Sequence, residues 1–301
     1  ATELHRDPAS GAITGLTLVQ GLTQGGQTKR IAVKGGVILG TGGFNRHPKR
    51  RAEQLGPDLP ATWCPGAPGH TGAAHDLAEA VGAVYGEGQM SPAFWAPVSL
   101  RQRADGSTAS FPHFVFDRAK PGTVTVDGAG RRYLNESTSY HLYGLAMQAH
   151  RPNQADGGKP GIPSYLITDA EGLRKYGLGM VRPRGMGLDA ALADGYVTSA
   201  GSIAELATKL GLPPQNLQAT IERFNRHWPD GIDPDFGRGS TAYQRANGDA
   251  TWTGPNPSLG PVAKAPFYAL RLYPGDIGAA RGLKTDAAAR SLDAAGRVIP
   301  G

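Results

Sequence analysis

Residues 130–140 read GRRYLNESTSY and join a glycine-containing turn to a helix-forming pattern. We interpret Arg131–Leu134 as a short strand and Ser137–His150 as a helix that ends at Pro152. Tyr140 then lies in the first turns of that helix. By itself this pattern is typical of a capped helix with a packing tyrosine, so the neighbouring segments must decide whether Tyr140 carries chemistry.

The segments around this stretch predict a mixture of strands and helices. Short runs between turn signals indicate strands at Phe111–Phe116, Thr123–Val126, Ser164–Thr168 and Phe267–Tyr273. Two helices are predicted from their start signals. A capping box at residues 202–205, SIAE, opens the first, and Pro213 or Pro214 starts the second. The second helix has a helically spaced apolar face made of Leu217, Ile221 and Phe224.

Nearer the N-terminus, two glycine-containing segments allow a ligand to approach the backbone. Residues 37–44, VILGTGGF, predict a buried strand that ends in Thr41-Gly42-Gly43. Residues 69–74, GHTGAA, place Gly72 near the start of a helix over His70–Ala83, where free N–H groups suit an anion. Ordinary turns and plain helix N-termini use the same residues, so neither segment is decisive alone.

Three further segments are rich in glycine, proline or aromatic residues. Residues 273–283, YPGDIGAARGL, indicate a loop between strands, for which turn formation is the default interpretation. Gly88–Ser110 contains Phe94 and Trp95 and is interpreted as a linker to a second unit. Asp230–Pro261 predicts a long loop that either covers a site or moves.

Composition and missing motifs exclude several function classes. The 301 residues are 39% apolar and 19% charged, without an apolar run long enough to span a membrane, and the single cysteine cannot form an internal disulfide. The sequence contains no G-x-G-x-x-G, Walker A, C-x-x-C, H-E-x-x-H or G-x-S-x-G motif. We therefore expect a cytoplasmic globular protein with no metal site and no stable membrane insertion.

The net charge of +6 does not indicate a nucleic-acid partner. The basic residues are scattered, and the densest cluster, Arg46 with Lys49, Arg50 and Arg51, lacks interleaved aromatic residues. We interpret this cluster as a solvated helix face. A positive potential equally suits a small anionic ligand or cofactor.

Both ends of the sequence indicate a fragment. The chain enters directly into strand-like residues at Ala12–Val19. It stops at Gly301, just after a hairpin over Ser291–Pro300 whose turn is residues 293–296, DAAG. An isolated hairpin is only marginally stable in water, so we expect its return strand to continue into a further segment.

Taken in order, the segments at residues 41–43, 130–140, 275–278 and 293–301 resemble the FAD-dependent 3-ketosteroid dehydrogenase and fumarate reductase superfamily. The resemblance implies an α/β plus α+β fold, in which a partial Rossmann-like FAD-binding domain holds an inserted α+β catalytic (cap) domain. It assigns residues 1–88 and 265–301 to the FAD-binding domain and residues 89–264 to the cap domain. The family's N-terminal G-x-G-x-x-G unit and C-terminal flavin-covering segment have no counterpart here, so we expect the 301 residues alone not to retain FAD.

The resemblance also implies which residues contact the cofactor. They are small residues of the glycine-containing segments, namely Thr41, Gly42, Gly43, Gly72, Gly278 and Gly282. Arg281 departs from the glycine that the family usually has at that loop position. The expected cofactor of the whole protein is FAD.

Tyr140 distinguishes two branches of this superfamily. Fumarate reductases place an arginine proton donor five residues after the Asn of Asn-Glu, whereas the ketosteroid dehydrogenases have a tyrosine there that resembles a general base. Near the position of a substrate-binding His-Pro-Thr, this chain has Phe94 and Trp95. A pocket with these aromatic rings suits a flat, apolar ketone, whereas a dicarboxylate requires cations. The sequence is therefore closest to the ketosteroid dehydrogenase branch.

The implied reaction removes a proton beside the ketone, with Tyr140 as the base, and passes a hydride to FAD, which an external electron acceptor reoxidises. A tyrosine phenol ordinarily has a pKa of about 10, so such a base needs nearby positive charge, hydrogen bonds or a proton relay. Two alternatives stay open. A fumarate reductase-like enzyme that reduces a small unsaturated acid needs Arg131, Arg132 or Arg281 in its pocket. A fragment that only binds an apolar ligand needs no flavin.

Overall fold

The computed structural model describes five ranges of the chain, which are residues 1–21, 26–86, 91–151, 154–155 and 159–301. The chain divides into two compact units. Unit 1 comprises residues 1–61, 66–94 and 278–301, and unit 2 comprises residues 62–65 and 95–277. The predicted division into an FAD-binding domain and a cap domain stays a prediction.

Unit 1 is built on a three-stranded antiparallel sheet and two short helices. The strands are β1 (Glu3–Arg6), β2 (Ile13–Gln20) and β3 (Gln27–Ala32), in that order across the sheet, and the helices are α1 (Pro48–Gln54) and α2 (Ala73–Ala80). The buried core of the unit is small and consists of Leu4, Ile13, Ala78, Ala83 and Ile299. The helix predicted over His70–Ala83 is confirmed, although it begins only at Ala73.

Unit 2 contains a six-stranded antiparallel sheet and a two-stranded hairpin. The strands are β4 (Ala93–Gln102), β5 (Thr108–Pro112), β6 (Thr123–Val126), β7 (Gln154–Ala155), β8 (Lys159–Pro160), β9 (Ser164–Thr168), β10 (Thr198–Ala200) and β11 (Phe267–Ala279). The sheet order is β5-β4-β11-β9-β6, β10 pairs with β11, and β7 pairs with β8. In the antiparallel pairing of β9 with β11, Leu166 lies opposite Leu270.

Helices cover this sheet and complete the core of unit 2. They are α3 (Tyr140–His150), α4 (Ala170–Tyr176), α5 (Leu188–Ala193), α6 (Ile203–Leu210), α7 (Pro214–His227) and α8 (Ala242–Ala246), with 3-10 turns at Ala61–Trp63, Pro183–Gly185 and Trp228–Asp230. The predicted face of α7 packs into the same buried cluster as β6 and β9. The strands predicted at 123–126 and 164–168 and the helices α6 and α7 are confirmed.

The strand predicted before Thr41-Gly42-Gly43 is wrong. Residues 37–40 form no strand, and the Ile38 side chain is 97% exposed. A β-strand needs a neighbouring strand to satisfy its backbone N–H and C=O groups. None of the strands described for this chain pairs with these residues, so their apolar character alone does not produce a strand.

The linker predicted over Gly88–Ser110 is also wrong from Ala93 onward, while residues 87–90 lie outside the described residues. Ala93–Gln102 forms β4, and Thr108–Pro112 forms β5. Proline lacks the N–H that a central strand uses. Pro97 is nevertheless accommodated, and its carbonyl accepts a hydrogen bond of 2.8 Å from His113 N–H.

Three further segments differ from their predictions. Residues 131–134 are not a strand, because the Arg131 carbonyl closes the turn by accepting from Asp127 N–H. β11 continues to Ala279, so the predicted loop at 273–283 is strand over its first half. The long loop at 230–261 contains α8, and the fully buried side chain of Arg238 anchors it.

Candidate active site

The predicted cofactor glycines of unit 1 lie close together. Gly72 N–H donates a hydrogen bond of 3.0 Å to the Gly43 carbonyl. A Cβ on Gly43 would lie 2.9 Å from the Ala279 Cβ, and one on Gly42, whose φ is +82°, would lie 2.6 Å from the His70 ring. Any side chain at these glycines would therefore clash with a neighbouring segment. Three segments that are distant in the sequence therefore pack closely together at these glycines.

Polar groups beside these glycines have no partner among the described residues. They are the Nδ1 atom of His75, the Oη atom of Tyr85 and the Nε atom of Arg281, all of them buried. Burial raises the pKa of Tyr85 to about 12. Buried polar atoms are almost always hydrogen-bonded in native proteins, so this part of unit 1 has the character of a binding site.

His75 makes the stability of unit 1 depend on pH. Burial, and then the positive charge of Arg50, lower the pKa of His75, while Glu79 and Asp76 act in the opposite direction. The unfolded histidine binds a proton near pH 6.5, and the folded one binds it only at lower pH. The unfolded state therefore gains the proton first, and the free energy of unfolding falls as the pH falls through this range.

We expect denaturant unfolding to show this difference. Between pH 7.5 and pH 5.5 the wild-type free energy of unfolding falls by more than that of His75→Gln, because the variant has no imidazole to protonate. His227→Gln is the control, since that histidine lies at the end of α7 in unit 2. Equal losses in wild type and His75→Gln would contradict the prediction.

Tyr140 is the first residue of α3 in unit 2. The Ser139 side chain caps this helix by accepting from Leu142 N–H at 3.3 Å. The partly buried Tyr140 ring packs edge-on against Phe114, with 5.3 Å between ring centroids.

A buried ion-pair network holds the segment before Tyr140. Glu136 accepts from Arg132 at 2.8 Å and lies 3.2 Å from Arg238, and Arg132 also binds Asp233 at 2.9 Å. Burial would raise the pKa of Glu136, but the two arginines and the Thr125 N–H lower it overall. Glu136 is therefore a buried carboxylate that carries its charge, and it fixes the backbone that leads into α3.

Arg118 fixes the same backbone from the other side. Its fully buried guanidinium donates to the carbonyls of Glu136 and Thr138, the latter at 2.8 Å, and to the His113 carbonyl at 3.0 Å. Desolvation lowers the pKa of Arg118 to about 10. The carbonyls just before Tyr140 are thus held by a cation rather than by solvent.

The remaining predicted residues are distributed over both units. In unit 1, Thr41 is exposed, Gly282 lies beside the His75 ring, and Gly278 lies beside Phe94, which is itself 49% exposed. In unit 2, Trp95 is buried at 4% exposure, and its backbone N–H donates to His141 Nδ1 at 3.2 Å. The predicted roles of Phe94 and Trp95 in a substrate pocket stay predictions.

A buried hydrogen-bond chain in unit 2 was missed by the sequence interpretation. Asp117 lies 2.6 Å from His113 Nδ1, His113 Nε2 lies 2.8 Å from Ser99 Oγ, and Ser99 Oγ lies 2.6 Å from Tyr196 Oη. The order resembles a hydrolase triad, but Ser99 and His113 are fully buried. This group of hydrogen-bonded side chains instead stabilises the backbone at Gly179, whose N–H donates to the Asp117 carboxylate.

Two classes of site find no support in the described part of the chain. No group of three or more His, Cys, Asp or Glu side chains there could hold a metal ion. Among the same residues, no helix has the length and apolar character needed to cross a bilayer.

Comparison with known proteins identifies the family. The FAD binding domain family matches residues 1–301. The chain belongs to this family. The superfamily predicted from the glycine segments and Tyr140 is confirmed, because the chain is 34% identical over 281 residues to a 3-oxosteroid 1-dehydrogenase of Mycolicibacterium smegmatis, covering 91% of this chain and 47% of that protein.

Two other members of the family support the same placement. A 4-oxocyclohex-2-ene-1-carboxylate 5-dehydrogenase of Sinomonas cyclohexanicum is 34% identical over 97% of this chain and 48% of its own length. The solved 3-ketosteroid delta1-dehydrogenase from Sterolibacterium denitrificans, in complex with 1,4-androstadiene-3,17-dione, has a TM-score of 0.83 and 30% identity, over 100% of this chain and 52% of that one. The chain thus spans about half the length of these relatives, and its mixed α/β fold is theirs.

Unit 1 fits the cofactor of this FAD-binding family. Gly42, Gly43 and Gly72 bring three segments close together, and Gly72 is the N-cap of α2, without a side-chain cap hydrogen bond. Such N-terminal N–H groups bind anions. The unpartnered polar atoms at His75 and Arg281 offer further contacts. A helix start without a side-chain cap and unsatisfied buried polar atoms are features that an FAD-binding surface can use.

Proposed function

We propose that the protein containing this chain is an FAD-dependent dehydrogenase that introduces a double bond beside the ketone of a 3-ketosteroid-like substrate. The observation that carries this proposal is the position of Tyr140 at the start of α3, against Phe114. Both curated relatives described above are named as dehydrogenases of cyclic oxo compounds. A ring ketone is the chemistry that those names share.

In the proposed reaction, the Tyr140 phenolate accepts a proton from the carbon beside the ketone. A hydride leaves the next carbon, and the loss of a proton and a hydride from neighbouring carbons leaves a C=C bond. FAD, when bound, supplies the acceptor for the hydride. Positioned proton transfer of this kind contributes about 10²–10⁴-fold to a reaction rate. An external electron acceptor would complete the cycle.

The surface of unit 2 favours an apolar substrate. Phe116 is 72% exposed, and Leu142, two residues after Tyr140, is 55% exposed. Exposed large apolar side chains on the unit that carries the candidate base suit a flat hydrocarbon skeleton better than a small acid. We therefore propose that unit 2 carries an apolar substrate pocket, while the roles of Phe94 and Trp95 stay predictions.

A fumarate reductase-like reaction is the second candidate, and the charges of unit 2 do not favour it. A dicarboxylate needs cations that are free to bind it. Arg132, one of the cations predicted for that alternative, is held by Glu136 and Asp233, with its side chain 4% exposed. It is committed to the fold rather than to a ligand.

The test uses the full-length protein with FAD and an artificial electron acceptor. We expect acceptor reduction that depends on a 3-ketosteroid and is absent with the matched 3-hydroxysteroid, because only a ketone acidifies the neighbouring C–H bond. Fumarate reduction by the reduced protein without ketosteroid oxidation would support the second candidate. A protein that binds steroid but shows no flavin absorbance would support the non-catalytic alternative.

A further inference from the structure

Three unpartnered polar atoms converge at one place in unit 1. The His75 ring lies edge-on to the Tyr85 ring, with 5.4 Å between centroids. The segment that carries Arg281 runs beside Tyr85, because Gly86 N–H donates to the Gly282 carbonyl at 2.7 Å. Burial raises the pKa of Tyr85, while the positive charges of Arg50 and Arg281 act in the opposite direction, so Arg281 lies close enough to influence the Tyr85 hydroxyl. The buried Nδ1 of His75, Oη of Tyr85 and Nε of Arg281 all lack partners among the described residues.

Of the two arginines at this place, Arg50 is paired with carboxylates of the described residues and Arg281 is not. Arg50, whose guanidinium lies 5.4 Å from the centre of the Tyr85 ring, is paired with Asp76 and Glu79. Arg281 has no carboxylate partner in the described parts of the chain, and its Nη1 donates only to the amide oxygen of Gln54, at 2.7 Å. A partly buried guanidinium without a counter-charge costs stability unless something else supplies an acceptor.

The same place adjoins the predicted cofactor glycines. His75 is the third residue of α2, which begins after Gly72. A Cβ on Gly282 would lie 4.0 Å from His75 Nε2. The N–H groups of Ala73 and Ala74, at the start of α2, also find no acceptor within the described ranges. Free donors from a helix start, a guanidinium and two ring groups thus lie near Gly72 and Gly282.

We propose that His75, Tyr85 and Arg281 form a polar contact set for FAD, in which Arg281 Nε donates to a negatively charged or carbonyl oxygen of the cofactor. This inference rests on FAD as the cofactor in the proposed function, and it does not depend on the substrate or on Tyr140. The contact gives Arg281 Nε a hydrogen-bond acceptor, and a negatively charged oxygen also gives the guanidinium a counter-charge.

The test measures FAD affinity rather than turnover. The full-length protein is stripped of flavin and titrated with FAD, while the quenching of flavin fluorescence is followed. Arg281→Met keeps the length of the side chain and removes its donors, and we expect its Kd to rise about 10- to 100-fold, as for the loss of a hydrogen bond to a charged group. Tyr85→Phe should raise the Kd by a smaller factor, because its lost hydrogen bond is neutral.

Arg290→Met is the matched control, because Arg290 lies in the same unit but pairs with Asp286 at the surface, with 61% of its side chain exposed. We expect its Kd to equal that of wild type. Thermal unfolding of the flavin-free variants shows whether each one is folded, and Arg281→Lys provides a milder change if Arg281→Met is not. An unchanged Kd in the folded Arg281 variants would overturn the inference. A wild-type protein that binds FAD tightly but oxidises no ketosteroid would instead overturn only the proposed function.

Discussion

Tyr140→Phe in the full-length protein is expected to lower kcat for a 3-ketosteroid by about 10²–10⁴-fold, the range for loss of a general base. The substitution removes one oxygen and leaves the ring, so the edge-on contact with Phe114 and the start of α3 persist. KM is expected to change little, because the phenol acts on the proton rather than on the hydrocarbon skeleton. Steady-state kinetics with an artificial electron acceptor measures both quantities.

Tyr243→Phe is the control for this change. Tyr243 is also in unit 2, on α8, and 47% exposed. The same loss of a hydroxyl there should leave kcat unchanged. Flavin absorbance, measured on both variants, shows whether each one keeps its cofactor. A loss of less than threefold in Tyr140→Phe, with flavin retained, would remove Tyr140 from the mechanism and with it the main support for the proposed reaction.

Glu136→Ala is expected to cost about 3–5 kcal/mol of the free energy of unfolding, as for other buried ion pairs that lose one partner. The substitution leaves the fully buried guanidinium of Arg238 and the nearly buried guanidinium of Arg132 without their shared carboxylate. It also removes the acceptor of the Thr125 N–H. Denaturant unfolding followed by circular dichroism measures the loss.

Glu136→Gln separates the charge from the shape of this side chain. It keeps an acceptor for one arginine and is expected to unfold at a denaturant concentration between wild type and Glu136→Ala. Glu171→Ala is the control, because the carboxylate of Glu171 pairs with Lys264 at the surface, where ion pairs contribute little. If Glu136→Ala unfolds at the same denaturant concentration as Glu171→Ala, the network around Glu136 is not a stabilising element.

Local signals explain which parts of the fold could be predicted from the sequence. Ser202 caps α6, and Gly211 ends it, because both act within one helical turn. The apolar face of α7 could be predicted because residues at helical spacing pack into the same core. Residues 37–40 and 93–102 were misjudged because a strand depends on its neighbours, and these lie far away in the sequence.

The candidate site also contains some residues that the sequence predicts and others that it does not. Tyr140 and the glycines were found from short motifs, because each motif needs only a few consecutive residues. The partners of Glu136 and Arg132 were not found, since Asp233 and Arg238 follow about a hundred residues later and carry no motif. Arg132 and Glu136 are four residues apart but do not lie on a helix, so this spacing did not predict their ion pair.

Short runs of residues are enough to predict the family, the FAD cofactor of that family and a tyrosine near the start of α3, because the chemistry of such runs is local. Which charged side chains are paired depends instead on how the chain folds. Folding buried Arg132 against Glu136 and left the Nε atom of Arg281 without a partner among the described residues. The physical reason is that desolvation and pairing depend on what the rest of the chain places around a side chain.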